Sequence, residues 1–321
     1  MYETYWRLDI KPFENTPDPR FLYYSSKHEE ALMRLLYAAR EHKQGALLTG
    51  EYGGGKTVLS RVLLKDLGGD DRFQVVLIVN PKLSKKEFLK EILFQMGEQN
   101  AASVSEEVDL LRLLEGLLRN NLAQKRKTVL IIDEAQILEE KELEEIRLLL
   151  NFPTQEEFLL TLILIGQNDL KRKVQAIEPL KQRLALRFHL EPLDQLEVQN
   201  YVMHRLAVAG KKEPIFSPGA MGLVFEGSGG IPRQINTICD YALLIGFSRK
   251  ATQIGVEIVE DCLRDLDLLK TNPVVIPVVI PVVIEEEKDN GAHSRHFEEG
   301  EVASQGRGGQ VVTSIQRPKI S

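Results

Sequence analysis

Gly50-Glu51-Tyr52-Gly53-Gly54-Gly55-Lys56-Thr57 decides how this chain is read. The eight residues match GxxxxGK[ST] in full. Ala46–Thr49 before them is a short apolar run, read as a strand. The stretch from Lys56 to about Leu67 reads as a helix, with Val58, Val62 and Leu63 expected on one face. Glycines let the backbone curl so that its amides point inward at phosphate oxygens. The start of the following helix adds the positive end of its dipole. Gly50, Glu51, Tyr52, Gly53, Gly54, Gly55, Lys56, Thr57 and Val58 are therefore expected to form a nucleotide-binding set. Lys56 is expected to neutralise the β- and γ-phosphates of ATP, and the Thr57 hydroxyl to ligate Mg²⁺.

A P-loop needs a second magnesium carboxylate, expected on a neighbouring strand. Thr128–Glu134, TVLIIDE, supplies it. Apolar residues bury the strand and deliver Asp133 at its C-terminal tip, the edge where open α/β sheets bind ligands. Asp133 is expected to hold Mg²⁺ through water. Glu134, one residue on, is expected to polarise the attacking water. Hydrolysis also needs positive charge on the γ-phosphate in the transition state. Arg183 and Arg187 in LKQRLALRF and Arg233 in GGIPRQIN are candidates, and on spacing alone each reads equally well as a surface ion-pair partner.

Outward from the loop, Phe73–Val79, Phe158–Ile165 and a short Leu186–Leu190 are further expected strands, and their continuous apolar runs suit a sheet buried on both faces. Ser26-Lys27-His28-Glu29 and Ser84-Lys85-Lys86-Glu87 have the spacing of capping boxes and open helices. A further helix covers about 106–122. Strands alternating with helices predict a doubly wound parallel α/β layer over residues 26–191, after an extended lead-in over 1–25. Beyond Pro192 the pattern turns helical, at about 194–209, 217–226, 232–247 and 255–267. A small all-helical domain is expected over 192–270. Residues 271–321 carry PVVIPVVIPVVI at 273–284 and pass into Gly, Ser, Gln and charged residues; they read as a disordered tail.

Composition narrows the function classes. Hydrophobic residues make up 43% and charged residues 27% of the 321, and the net charge is −6. No global field draws this chain to nucleic acid or an acidic membrane. No signal peptide is seen at the N-terminus, and no apolar run of about 18 residues encodes a membrane span. A cytoplasmic location without membrane insertion is expected. Cys239 and Cys262 are too few for a disulfide framework or a zinc site and read as small buried residues.

The P-loop, the Asp-Glu strand, the IGQ strand end, the QRL…RF segment and the GIPR segment follow the order found in AAA+ ATPases. The start, PFENTPDPRFLYYSSKHEEAL…GALLTGEYGGGKT, resembles the general secretion pathway protein A (ExeA-like) ATPases, a family related to the MuB and TniB-type transposition ATPases. The resemblance spans about residues 1–268. It implies that Gln167, with Asn168 as runner-up, is the first sensor, orienting water and γ-phosphate. It implies that Arg183, with Arg187 as runner-up, is the finger offered to a neighbouring subunit, which calls for a homo-oligomer. Arg233 would be the second sensor, and Pro17–Tyr23 would lie near the adenine. Secretion-type members commonly continue into a transmembrane helix and a periplasmic domain; this sequence encodes neither, so only the motor module is expected.

Two functions follow as expectations. One is nucleotide-driven assembly or remodelling of a protein partner, in secretion or export. The other is a DNA-associated, transposition-helper role, for which Lys82, Lys85, Lys86 and Lys90 are the local support.

Overall fold

The computed structural model describes residues 1–15, 19–21, 23–152 and 157–268. Five parallel strands form one sheet in the order β2-β3-β4-β1-β5. They are β1 Gly45–Gly50, β2 Phe73–Ile78, β3 Lys127–Ile132, β4 Thr161–Gly166 and β5 Leu184–Leu190. The apolar runs are long because both faces are covered. Successive side chains of a strand point to opposite faces. On β3, Leu130 and Ile132 join one core, while Val129 and Ile131 join the other. On β4, Leu162 and Leu164 face the first core, and Ile163 and Ile165 the second.

Helices cover both faces. The short α1 is Tyr2–Trp6, and α2 is Ser26–Arg40. The P-loop helix α3 spans Lys56–Gly68, followed by α4 Lys85–Gln95 and α5 Glu107–Ala123. Then come α6 Glu140–Leu149, α7 Asn168–Ala176 and α8 Glu178–Arg183. One core packs α2 and α3 on the sheet through Leu35, Leu59, Leu63 and Leu67. The opposite core packs α4 to α8. Beyond β5 lie α9 Gln195–Val208, α10 Pro218–Ser228, α11 Pro232–Ser248 and α12 Val256–Asp265, around a third core.

Several local expectations are revised. Residues 1–25 are not simply extended. Tyr2 and Trp6 of α1, with Leu8, Phe13 and Phe21, are built into the core of α9–α12. The Trp6 indole N–H donates to the Leu243 carbonyl at 3.0 Å, so apolar burial and one satisfied donor hold this segment on the helices. The helix cap of α2 is Ser25, whose hydroxyl accepts the His28 N–H, rather than Ser26. The Ser84–Glu87 box is present as expected. On α3 the buried stripe is Lys56, Leu59, Ser60, Leu63 and Leu67, so Val58 and Val62 do not lead it. Cys239 and Cys262 are both buried and free, and burial pushes the Cys262 thiol up to about 12. Among the described residues no helix is long and apolar enough to cross a membrane. The tail reading over 271–321 lies outside the described residues.

Candidate nucleotide site

The sheet order fixes the site. The acid strand β3 is not the neighbour of β1; β4 lies between them. The C-terminal end of β4 therefore stands between the P-loop and the Asp133–Glu134 pair. The loop takes the form its glycines allow. Gly53 has φ 78° and Gly55 has φ 97°, a left-handed region costly for any other residue type. Close neighbours add to the constraint. A Cβ on Gly53 would lie 2.6 Å from Arg233 Cβ, and one on Gly55 would lie 2.7 Å from His28 Nε2.

Lys56 is 5% exposed. Its Nζ donates to the carbonyls of Gly50 at 3.0 Å and Glu51 at 2.8 Å. Burial pushes the amine pKa down, opposed by the carboxylates of Glu134, Asp133 and Glu51. Asp133 is 1% exposed. Its Oδ2 accepts the Ser60 hydroxyl at 3.0 Å, and its Oδ1 accepts the Glu134 N–H at 2.9 Å. Ser60 thus ties α3 to the tip of β3 across β4. Glu134 has φ 52°, and its Oε2 accepts the Gln136 amide at 2.5 Å.

A cavity of about 380 Å³ opens between the loop and helices α9 and α11. Gly53, Gly55, Lys56, Thr57, Val58 and Glu134 line it on one side. Arg233, Asn236, Tyr201, Arg205, Glu14 and Asn15 line it on the other. Arg233 stacks over the Tyr52 ring at 5.0 Å and donates to its hydroxyl at 2.7 Å. Behind the helical wall, Arg205 donates to the carbonyls of Pro12 at 2.5 Å and Glu14 at 3.0 Å. Tyr201 donates to Asn236, which donates to Asn15. Glu14 and Asn15 thus supply the lead-in's part of the wall; of the Pro17–Tyr23 segment, residues 17, 18 and 22 lie outside the described residues.

Of the remaining expected residues, Gln167 caps α7 and bonds Gln136 through its backbone N–H at 3.0 Å. Asn168 Nδ2 reaches Glu51 Oε1 at 2.6 Å. Neither Gln167 nor Arg183 lines the cavity. Arg183 ends α8, where it donates to the Pro179 carbonyl at 3.1 Å and Asn151 Oδ1 at 2.5 Å. Arg187 lies within β5 and donates to the Leu184 carbonyl at 3.0 Å and to that of Lys181.

The chemistry of these donors is compatible with a magnesium ion. The buried Asp133 keeps lone pairs beyond its two hydrogen bonds but is sunk behind the cavity wall, which suits contact through a water. Thr57 lines the cavity. Among the described residues no cluster of three or more His, Cys, Asp or Glu could hold a metal ion, so phosphates and waters would complete the shell, as Mg²⁺ prefers.

Sequence reading missed Ser60, Gln136, Tyr201, Arg205, Asn236 and His28. His28 props the loop from α2. Its Nε2 lies 3.0 Å from the Gly54 carbonyl, and its Nδ1 lies 2.7 Å from the Ser25 hydroxyl. A carbonyl only accepts, so Nε2 carries the proton and Nδ1 accepts from Ser25. Burial holds this imidazole's pKa below the ordinary range. Proton uptake therefore opposes folding: the contribution is intact above about pH 6.5 and is lost as pH falls below it. His28→Ala should cost about 1–2 kcal/mol of stability, the range for stranding a buried acceptor. Thermal melts at pH 7.5 should show the lower melting point, and the gap to wild type should narrow at pH 5. A gap that is independent of pH would remove the neutral-imidazole account.

Comparison with known proteins agrees with this geometry. Residues 39–174 match the AAA domain. Over 258 residues the chain is 41% identical to General secretion pathway protein A of Aeromonas hydrophila, an alignment that covers 79% of this chain and 46% of that protein. The chain spans about half the length of that relative. Drosophila ORC, in a structure bound to DNA, superposes with a TM-score of 0.63 at 19% identity, covering 83% of this chain and 66% of that one. Cdc6p from Pyrobaculum aerophilum superposes with a TM-score of 0.60 at 18% identity, covering 78% and 71%. At those identities the likeness is one of fold. With the P-loop after β1, the acid pair after β3, β4 between them and α9–α12 over the cavity, residues 39–174 form an AAA domain, and the chain is a relative of general secretion pathway protein A over 79% of its length.

Proposed function

We propose that this chain binds and hydrolyses Mg·ATP and uses the cycle, as a homo-oligomer, to assemble or remodel a protein partner in secretion or export. The proposal is carried by one juxtaposition: Lys56, Thr57 and Glu134 open onto a single cavity whose far wall carries Arg233. Loop amides and Lys56 bind the phosphates. Thr57 and Asp133 would hold Mg²⁺, which when bound neutralises phosphate charge. Glu134 takes the proton of the attacking water. Arg233 sits on Tyr52 and lines the same cavity, so it can pass to the γ-phosphate and draw the helices with it. The pathway follows the relative of which this chain spans about half.

Glu134→Gln tests the chemistry. It should retain ATP binding and lower turnover by about 10², the range for losing a positioned base. Wild-type turnover in this variant would pass the role to another residue.

A DNA-associated role is the second reading, favoured by the fold likeness to ORC bound to DNA. The lysines offered for it are partly engaged: Lys85 pairs with Glu107, and Lys90 donates to the Ala102 carbonyl at 2.8 Å. Salt-dependent DNA binding in the presence of ATP separates the two readings.

A further inference from the structure

The left-handed backbone at Glu134 turns the chain so that Gln136 folds back beside the carboxylate. The Gln136 amide is then used at both ends. Its Nε2 donates to Glu134 Oε2 at 2.5 Å, and its Oε1 accepts the Gln167 N–H at 3.0 Å. A backbone N–H only donates, so the amide oxygen must face Gln167 and the NH₂ must face the carboxylate. The Gln136 backbone is pinned as well, because Lys173 Nζ donates to its carbonyl at 2.7 Å and to that of Leu138 at 2.7 Å. Room for the amide comes from Gly166 at the end of β4. A Cβ there would lie 2.7 Å from Gln136 Oε1 and 3.1 Å from the Gln136 backbone nitrogen.

We propose that Gln136 is a positioning residue for Glu134, anchoring one carboxylate oxygen and tying the base to the end of β4; this rests on Glu134 acting as the general base. The other oxygen remains for the water. The tie continues to the P-loop. Asn168, next to Gln167, holds the Glu51 side chain at 2.6 Å, and the Glu51 carbonyl accepts the Lys56 amine at 2.8 Å. The base and the phosphate-binding lysine are thus linked by hydrogen bonds and short backbone steps that run past the C-terminal end of β4. A carboxylate held by one oxygen samples fewer orientations, so losing the anchor lowers the rate of the chemical step more than the affinity for nucleotide.

Two substitutions separate the two ends of the amide. Gln136→Ala removes both bonds. Gln136→Glu keeps an acceptor for the Gln167 N–H but removes the donor and sets a second carboxylate against Glu134. Steady-state hydrolysis and titration with a fluorescent ATP analogue should show kcat down about 10-fold or more in both, with affinity changed by less than about 2-fold. In a Glu134→Gln background, Gln136→Ala should have no further effect on kcat, because residues that act as a unit are not additive. Wild-type kcat in Gln136→Glu, or additive losses in the double variant, would overturn the proposal and leave the amide as a brace for the β4 turn. Wild-type kcat in Glu134→Gln alone would instead remove the general-base reading. A slow Glu134→Gln beside fast Gln136 variants sinks only the positioning role.

Discussion

Lys56→Ala should lose nucleotide affinity by about 10²–10³-fold, or about 3–4 kcal/mol, the range for removing one partner of a buried charge pair. The ammonium is 5% exposed and is already held by two loop carbonyls. It therefore meets an incoming phosphate without first being ordered or stripped of bulk water. Burial alone depresses its pKa, and Glu134, Asp133 and Glu51 oppose that shift. A phosphate brings the charge that desolvation calls for, and each N⁺–H···O⁻ contact there is of the strong kind. Alanine removes the charge and the amine's two bonds to the loop carbonyls, and leaves in place the glycines that curve the loop. Titration with a fluorescent ATP analogue measures the loss, and a thermal melt of the nucleotide-free variant within a few degrees of wild type shows that the fold survives. Unchanged affinity in a folded variant would sink the phosphate assignment.

The parts legible in the sequence are those whose signal is local. The strands show as apolar runs because the sheet is covered on both faces. The P-loop shows because glycine spacing and its lysine are fixed within eight residues. Less legible were features set by two segments far apart. Ser60 reads as an ordinary polar residue, yet it stands four residues after Lys56, one helical turn along the same buried stripe. That spacing was the available signal. His28 looked like part of a capping box, and only the placement of α2 against the loop gives it the Gly54 carbonyl. Helix α6 was passed over because glutamates surround Leu143, Ile146 and Leu149, although their three-residue spacing marks a buried stripe. The lead-in was the least legible part. Its aromatics pack on α9 and α11, about two hundred residues later, and no local pattern announces a docking of that range.

Arg183→Ala should bind ATP and hydrolyse it about 10³–10⁵-fold more slowly, as when an arginine finger is lost, and the site it serves should belong to another subunit. Sheet register excludes service to its own loop. Gly45 pairs with Leu184 and Gly50 with Leu190, all strands running parallel. Arg183 therefore stands at the N-terminal edge of the sheet, while the loop leaves the C-terminal edge. Five residue steps at about 3.3 Å separate those edges by about 16 Å, beyond the reach of one side chain. Its guanidinium rests on Pro179 and Asn151, partly exposed and open to a neighbour. Specific activity should accordingly rise with protein concentration. A mixture of Arg183→Ala and Glu134→Gln then discriminates. Where an Arg183→Ala subunit hosts ATP and a Glu134→Gln subunit abuts it, the first offers an intact Glu134 and the second an intact Arg183. Such interfaces should recover turnover, with a maximum near equal proportions. Both variants keep Lys56, so both should bind nucleotide and enter the assembly. A mixture that demonstrably co-assembles yet stays inactive at every ratio would discard Arg183 as the finger. The role would then fall to Arg187, which β5 holds four residues further toward the loop edge, opposite Leu47 of β1.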